Sequence, residues 1–161
     1  MKPRVYVETS VLGHLTSWPS GDLVVAGRQK ITRDWWRYAL HAYELVVSEL
    51  VHREASAGDP QAIRDRLEAL KALPVLAVSE RADAFARALV AGAAVPSTEP
   101  EDALHIALAV VNGIEYLVTW NFKHIASAAM RSRIEGVCIV EGYHPCTICT
   151  PEELLEPEGD V

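Results

Sequence analysis

The sequence contains no apolar run near the roughly 18 residues that a membrane span requires. Its opening, MKPRVYVETS, lacks the apolar stretch of a secretory signal, so a cytoplasmic location and no membrane association are expected. Cysteine is scarce: Cys138, Cys146 and Cys149 make an odd number late in the chain. That count is a poor basis for a disulfide framework and suits a reducing compartment. Positive charge is also short, with 15 Lys and Arg against 22 Asp and Glu and a formal net charge of -7. A general phosphate-coating protein is thereby excluded, because non-specific nucleic-acid affinity comes from Lys and Arg displacing counterions. No repeat, low-complexity tract or internal linker divides the 161 residues, which are 50% hydrophobic and 23% charged, as in an ordinary globular protein. A principal domain over residues 1–145 is expected, followed over 146–161 by a short helix and tail that packs on it or extends from it.

What is present is a series of short β-rich runs: RVYV at 4–7, ELVVS at 44–48, VLAV at 75–78, YLVT at 116–119 and VCIV at 137–140. They are nearly unbroken apolar, the pattern of strands covered on both faces, and helical segments separate them. An α/β fold with a parallel sheet of about five strands follows. Helix starts are marked by Ser48 before ELVHREA and by Asp59 and Pro60 before QAIRDRLEALKAL. Thr98 and Glu101 have capping-box spacing before DALHIALAVV, and Thr150, Pro151 and Glu153 repeat the arrangement for a closing helix. The stretches SWPSGDL at 17–23 and AVPST at 94–98 read as connections, and EPEGDV as a frayed tail.

In doubly wound sheets the ligand crevice lies beyond the carboxyl ends of the strands. Glu8, Thr9 and Ser10 follow the first strand at such an end. Glu8 has two readings: a polar residue introducing a helix with Thr9 or Ser10 as cap, or a ligand. Glu54 lies four residues past Leu50 and three past Val51, on the apolar side of a helix whose solvent face holds His52 and Arg53. An inward carboxylate needs a partner, either an arginine or a metal. Asp102 lies beside the stripe Ala103, Ile106, Ala107 and Val110, and again either compensates the helix dipole or points into the crevice. All three acids come from helices starting at one end of one sheet. Two carboxylates about 4 Å apart repel by about 4 kcal/mol at an effective dielectric of 20, so such a cluster calls for a cation or a shared proton. Oxygen ligands favour Mg2+ or Mn2+, a site suited to phosphodiester hydrolysis.

The motifs VYVETSVLG, VVSELVHREAS, EDALHIALA and LVTWNFKHI, in this order over about residues 4–140, resemble those of the PIN-domain family, and within it the toxin ribonucleases of VapC type. The resemblance implies a three-layer α/β/α sandwich over residues 1–145 and a Mg2+- or Mn2+-dependent endoribonuclease. It also implies an RNA substrate, an antitoxin partner protein and a homodimer. Glu8, Glu54 and Asp102 occupy the acidic-cluster positions, and Asn121 matches the polar residue after the fourth strand. Thr9, Ser10, Thr119 and His124 would support them. Two positions depart from the family pattern: Glu8 stands where Asp is usual, and Lys123 with His124 stands where a fourth acid is common. The alternative is a PIN-fold module that has lost catalysis and binds RNA or protein.

Three further features have competing readings. Lys30, Arg33, Arg37 and His41 form a cationic stripe if helical, either an RNA-facing surface or a solvated face over Trp35 and Trp36. His144, Cys146 and Cys149 in HPCTIC suggest zinc only if Cys138 faces the same pocket. His105 reads as a packed or hydrogen-bonded residue.

Overall fold

A computed structural model describes residues 1–155, so the tail EPEGDV lies outside the described residues. Strands β1 (Arg4–Val7), β2 (Glu44–Ser48), β3 (Val75–Leu76), β4 (Tyr116–Val118) and β5 (Thr147–Cys149) form one sheet in the order β3-β2-β1-β4-β5. Every pairing is parallel, with Val5 opposite Leu45 on one side and Tyr116 on the other. The central strand is therefore sealed: Val5, Tyr6 and Val7 are fully buried. Burial of each valine contributes about 1.5–3 kcal/mol relative to exposure.

The helices are α1 (Thr9–Thr16), α2 (Leu23–Ala42), α3 (Glu49–Ala55), α4 (Pro60–Leu70), α5 (Glu80–Ala91), α6 (Pro100–Val111), α7 (Ala128–Glu141) and α8 (Pro151–Leu154). They fall into two layers: α1 packs on α2 and α4, α3 on α4 and α2 on α8, while α5 packs on α6 and α7. The result is the expected three-layer α/β/α sandwich around a five-stranded parallel sheet. Local chemistry explains the boundaries. Ser48 Oγ accepts from Val51 N–H to start α3, Asp59 accepts from Ala62 N–H with Pro60 in the first turn of α4, and Thr150 and Glu153 close a full capping box on α8.

Two expectations are corrected. The run VCIV at 137–140 is the end of α7, and the fifth strand is Thr147–Cys149. Ile134 and Cys138, four residues apart, face the core while Ile139 and Val140 are exposed, so the run has helical periodicity and one buried face. Gly142 at φ +82 terminates the helix in the left-handed conformation. The capping box of Thr98 and Glu101 also does not form: the N-cap of α6 is Glu99, which makes no side-chain cap bond. Proline prefers the first helical position, and Pro100 sets the start there.

Candidate active site at the strand ends

Because all five strands run parallel, their carboxyl ends lie at one edge of the sheet, where ligands bind in doubly wound folds. Glu8 caps α1 and is 5% exposed. One of its oxygens accepts from Ser10 N–H at 2.7 Å and the other from Thr119 Oγ1 at 2.7 Å. Thr119 Oγ1 in turn accepts from Asn121 N–H, and Ser10 Oγ accepts from Trp120 N–H. Thr119 and Ser10 thus tie the turn after β4 to the start of α1. Glu8 itself, rather than Thr9 or Ser10, is the cap of α1, and its carboxylate is buried at the end of β1.

Glu54 points inward, as its helical position implies, and its partner is a histidine rather than an arginine. Its Oε1 accepts from Thr9 Oγ1 at 2.7 Å and lies 2.6 Å from His105 Nε2. His105 is 2% exposed, and its Nδ1 lies 2.7 Å from Tyr6 Oη, which lies 2.8 Å from Ser48 Oγ. A carboxylate can only accept, so Nε2 carries a proton toward Glu54, and the Tyr6 hydroxyl bridges His105 Nδ1 and Ser48 Oγ. Ser48, Tyr6 and His105, all buried, form with the part-exposed Glu54 one chain from β2 across β1 and α6 to α3. Burial pushes the Glu54 carboxyl up, but the hydrogen bond and charge of His105, with the Thr9 bond, bring it below the usual carboxylate range. Tyr6 is raised far above an ordinary phenol by burial, so it stays protonated and can donate.

Asp102 lies in the first turn of α6, half-buried, and accepts from Asn121 Nδ2 at 3.3 Å. Asn121 Oδ1 accepts from His124 N–H, holding the turn after β4 against α6. Burial raises Asp102 to about 6, helped by the charges of Glu8 and Glu99 and opposed by His124 and His105. Glu99, one turn before Asp102, lies 3.7 Å from His124 Nε2. Ligand atoms of Glu99, Asp102 and His124 all lie within 4.8 Å of one another, the one such group of acids, histidines or cysteines among the described residues. It shares Asp102 with the set Glu8, Glu54 and Asp102; Glu8 and Glu54 lie outside it, engaged by hydroxyls, a backbone N–H and His105. Sequence reasoning missed Glu99 and the link from His105 to Glu54. The first was legible, because Glu99, Asp102 and His105 recur every three residues and so share a helix face. The second required the tertiary fold, since Tyr6 and His105 are 99 residues apart.

The other candidates lie elsewhere. Lys30 and Arg37 pair with Asp34 on the outer face of α2 while Trp35 is fully buried, a solvated face over an aromatic anchor. Cys138, Cys146 and Cys149 are free and buried, and burial raises them to about 11, 12 and 12, so they are neutral thiols. They belong to no metal-ligand group among the described residues.

No family model matches the sequence, and no curated protein matches it. Six chains of solved structures resemble the fold. One is from the crystal structure of VapBC2 from Rickettsia felis bound to a DNA fragment from their promoter, with a TM-score of 0.52 and 11% identity over 91% of this chain and 98% of that one. At that identity the likeness concerns the fold alone. It agrees with the motif resemblance in pointing to a PIN-like sandwich.

Proposed function

We propose that this protein is a divalent-metal-dependent endoribonuclease of PIN-like fold, acting as the toxin of a toxin–antitoxin pair. The observation that carries the reading is Asp102. Its carboxyl lies in a group with Glu99 and His124 whose ligand atoms are within 4.8 Å, and it is held near 6 by burial and by the charges of Glu8 and Glu99. A carboxyl raised in this way is relieved by a cation. The donor set of carboxylate oxygens with one imidazole suits Mn2+, and Mg2+ where water completes the shell.

In this reading Asp102 is the central metal ligand, Glu99 and His124 stand beside it, and Glu8 and Glu54 complete the acidic crevice. When bound, the ion supplies Lewis-acid polarisation of a phosphodiester and a more acidic water. The chain's own residues do the rest. Asn121 fixes the rotamer of Asp102 through its side-chain amide. Thr119 and Ser10 hold the Glu8 carboxylate in place, and His105 holds that of Glu54, so neither has to reorganise when substrate arrives. The likeness to a chain of VapBC2 supports a protein partner for this one, an antitoxin, and a homodimer belongs to the same proposal. No helix among the described residues is long and apolar enough to cross a membrane, in keeping with a proposed cytoplasmic location.

The test is cleavage of single-stranded RNA with Mn2+ or Mg2+ by the parent and by Asp102→Asn. Metal-dependent cleavage lost in the variant supports the reading, and cleavage that persists in a folded Asp102→Asn protein refutes it. A second reading, a non-catalytic RNA- or protein-binding module, is favoured by the occupied hydrogen-bonding positions of Glu8 and by Lys123 and His124 in place of a further acid. RNA binding without cleavage under any divalent ion would support that module.

A further inference from the structure

An acidic crevice in a chain of net charge -7 repels the polyanion that the proposed function requires, so a cation must meet the strand at its rim. Several arginines are engaged elsewhere: Arg4 donates to Asn112 and Gly113 carbonyls, Arg66 to those of Ala55 and Ala57, and Arg131 to that of Ile148. Arg28 on α2 differs. Its guanidinium carbon lies 5.5 Å from the ring centre of Trp120 and 4.9 Å from that of Phe122, and among the described residues the group makes no hydrogen bond or ion pair. The rings fix its position and leave its five N–H donors free.

The location matters as much as the freedom. Along Trp120, Asn121 and Phe122 the side chains alternate: Asn121 reaches Asp102 on α6, while Trp120 donates to Thr32 on α2 and Phe122 lies under Arg28. Arg28 and Asp102 therefore flank one tripeptide from opposite sides. His14 stacks on Trp120 at 5.7 Å, and burial with the nearby Arg28 charge lowers it below the ordinary imidazole range. Arg28 is thus the cation of this aromatic cluster at neutral pH. Phe122 is 43% exposed, so the cluster is open to solvent.

We propose that Arg28 is a phosphate anchor for single-stranded RNA, gripping a backbone phosphate beside the one presented to Asp102. A planar guanidinium braced by two rings matches phosphate with two parallel N–H bonds, which a lysine ammonium cannot reproduce. The proposal rests on the ribonuclease reading for its substrate class, but its test does not depend on catalysis.

Binding of a short fluorescein-labelled single-stranded RNA is measured by fluorescence anisotropy in EDTA across a range of salt concentrations. The proteins are the parent, Arg28→Ala, Arg28→Lys and Arg37→Ala, each confirmed folded by thermal melting. Arg37 is 79% exposed at its side chain and beside Asp34, so its removal changes net charge equally and serves as the control. Arg28→Ala is expected to weaken binding about tenfold or more and to reduce the slope of log affinity against log salt by about 0.7, the value of one single-strand phosphate contact. Arg28→Lys keeps the slope but binds less tightly than the parent. Unchanged affinity and slope in Arg28→Ala, an equal loss in Arg37→Ala, or no RNA binding by the parent overturns the proposal. Parent binding that depends on Arg28 without cleavage under Mn2+ leaves the anchor standing and removes the nuclease. Cleavage unaffected by Arg28→Ala does the reverse.

Discussion

Tyr6→Phe tests the buried chain that holds Glu54. The substitution keeps the ring, which is fully buried in the central strand, and deletes only the hydroxyl. That hydroxyl hydrogen-bonds His105 Nδ1 at 2.7 Å and Ser48 Oγ at 2.8 Å. Ser48 keeps its role as acceptor from Val51 N–H, but His105 Nδ1 loses its hydrogen-bond partner in a site that is 2% exposed. An unsatisfied buried donor or acceptor costs about 1–3 kcal/mol, so a loss of roughly 2 kcal/mol is expected. For a domain of this size that corresponds to a fall in Tm of about 4–8 °C. Urea unfolding should show a lower midpoint with an unchanged slope, because the surface exposed on unfolding is the same. A second consequence reaches the site. Without the Tyr6 hydroxyl the imidazole loses a contact that orients it on Glu54, and if Glu54 serves the metal, affinity should fall about 10- to 100-fold, as for other partners that orient ligands. A stability change under about 0.5 kcal/mol would refute the chain, since a hydroxyl that is the one partner of a buried ring nitrogen cannot be removed for so little.

Other expectations follow from the same geometry. Asp102 is raised to about 6 in the folded chain, against an ordinary value near 4 when unfolded. Between these values the folded chain keeps a proton that the unfolded chain has released, so in metal-free buffer this group makes stability fall as pH rises from about 4 to 6. Asp102→Asn should remove that fall and melt above the parent at pH 7.5; a parent whose metal-free stability shows no more decline over this window than the variant's would contradict the raised carboxyl. Glu54, held low, acts in the opposite sense, stabilising above its unfolded value and losing that contribution as pH falls through its folded value, so His105→Phe should make acid unfolding start at higher pH. At Gly92 an added Cβ would lie 2.8 Å from a Val137 methyl and 3.2 Å from the Ala88 carbonyl oxygen. Gly92→Ala should therefore cost about 1–3 kcal/mol through overpacking between α5 and α7, and a neutral result by urea unfolding would show that Val137 moves freely.

Most of the architecture was legible because the inner parallel strands, buried on both faces, read as nearly unbroken apolar runs and the edge strand at VLAV does too. Four of the five stand where RVYV, ELVVS, VLAV and YLVT lie. The failure at VCIV has the same origin: four apolar residues in a row say nothing about period, and only their spacing from Ile134 marks the helix. The true edge strand, Thr147–Cys149, lies in HPCTICT, where threonines separate the apolar residues and no unbroken run forms. At the site, single acids were readable from their place after strands or on inward helix faces. Their partners were not, because the bonds from Tyr6 to His105 and from Thr119 to Glu8 span 99 and 111 residues. Arg28 was invisible for a similar reason. Its significance comes from Trp120 and Phe122, which chain order places far away and the turn after β4 brings beneath it.

The central claim is that Asp102 holds a divalent ion, and calorimetric titration of metal-stripped protein with Mn2+, beside Asp102→Asn, tests it most directly. Saturating ion at about 100 times its dissociation constant adds about 2.7 kcal/mol of stability, or a rise in Tm of roughly 5–11 °C for a chain of this length. The expected result is binding and a matching rise in the parent, with both absent in a folded Asp102→Asn protein. Equal binding by the two proteins, or none by either, would contradict the account.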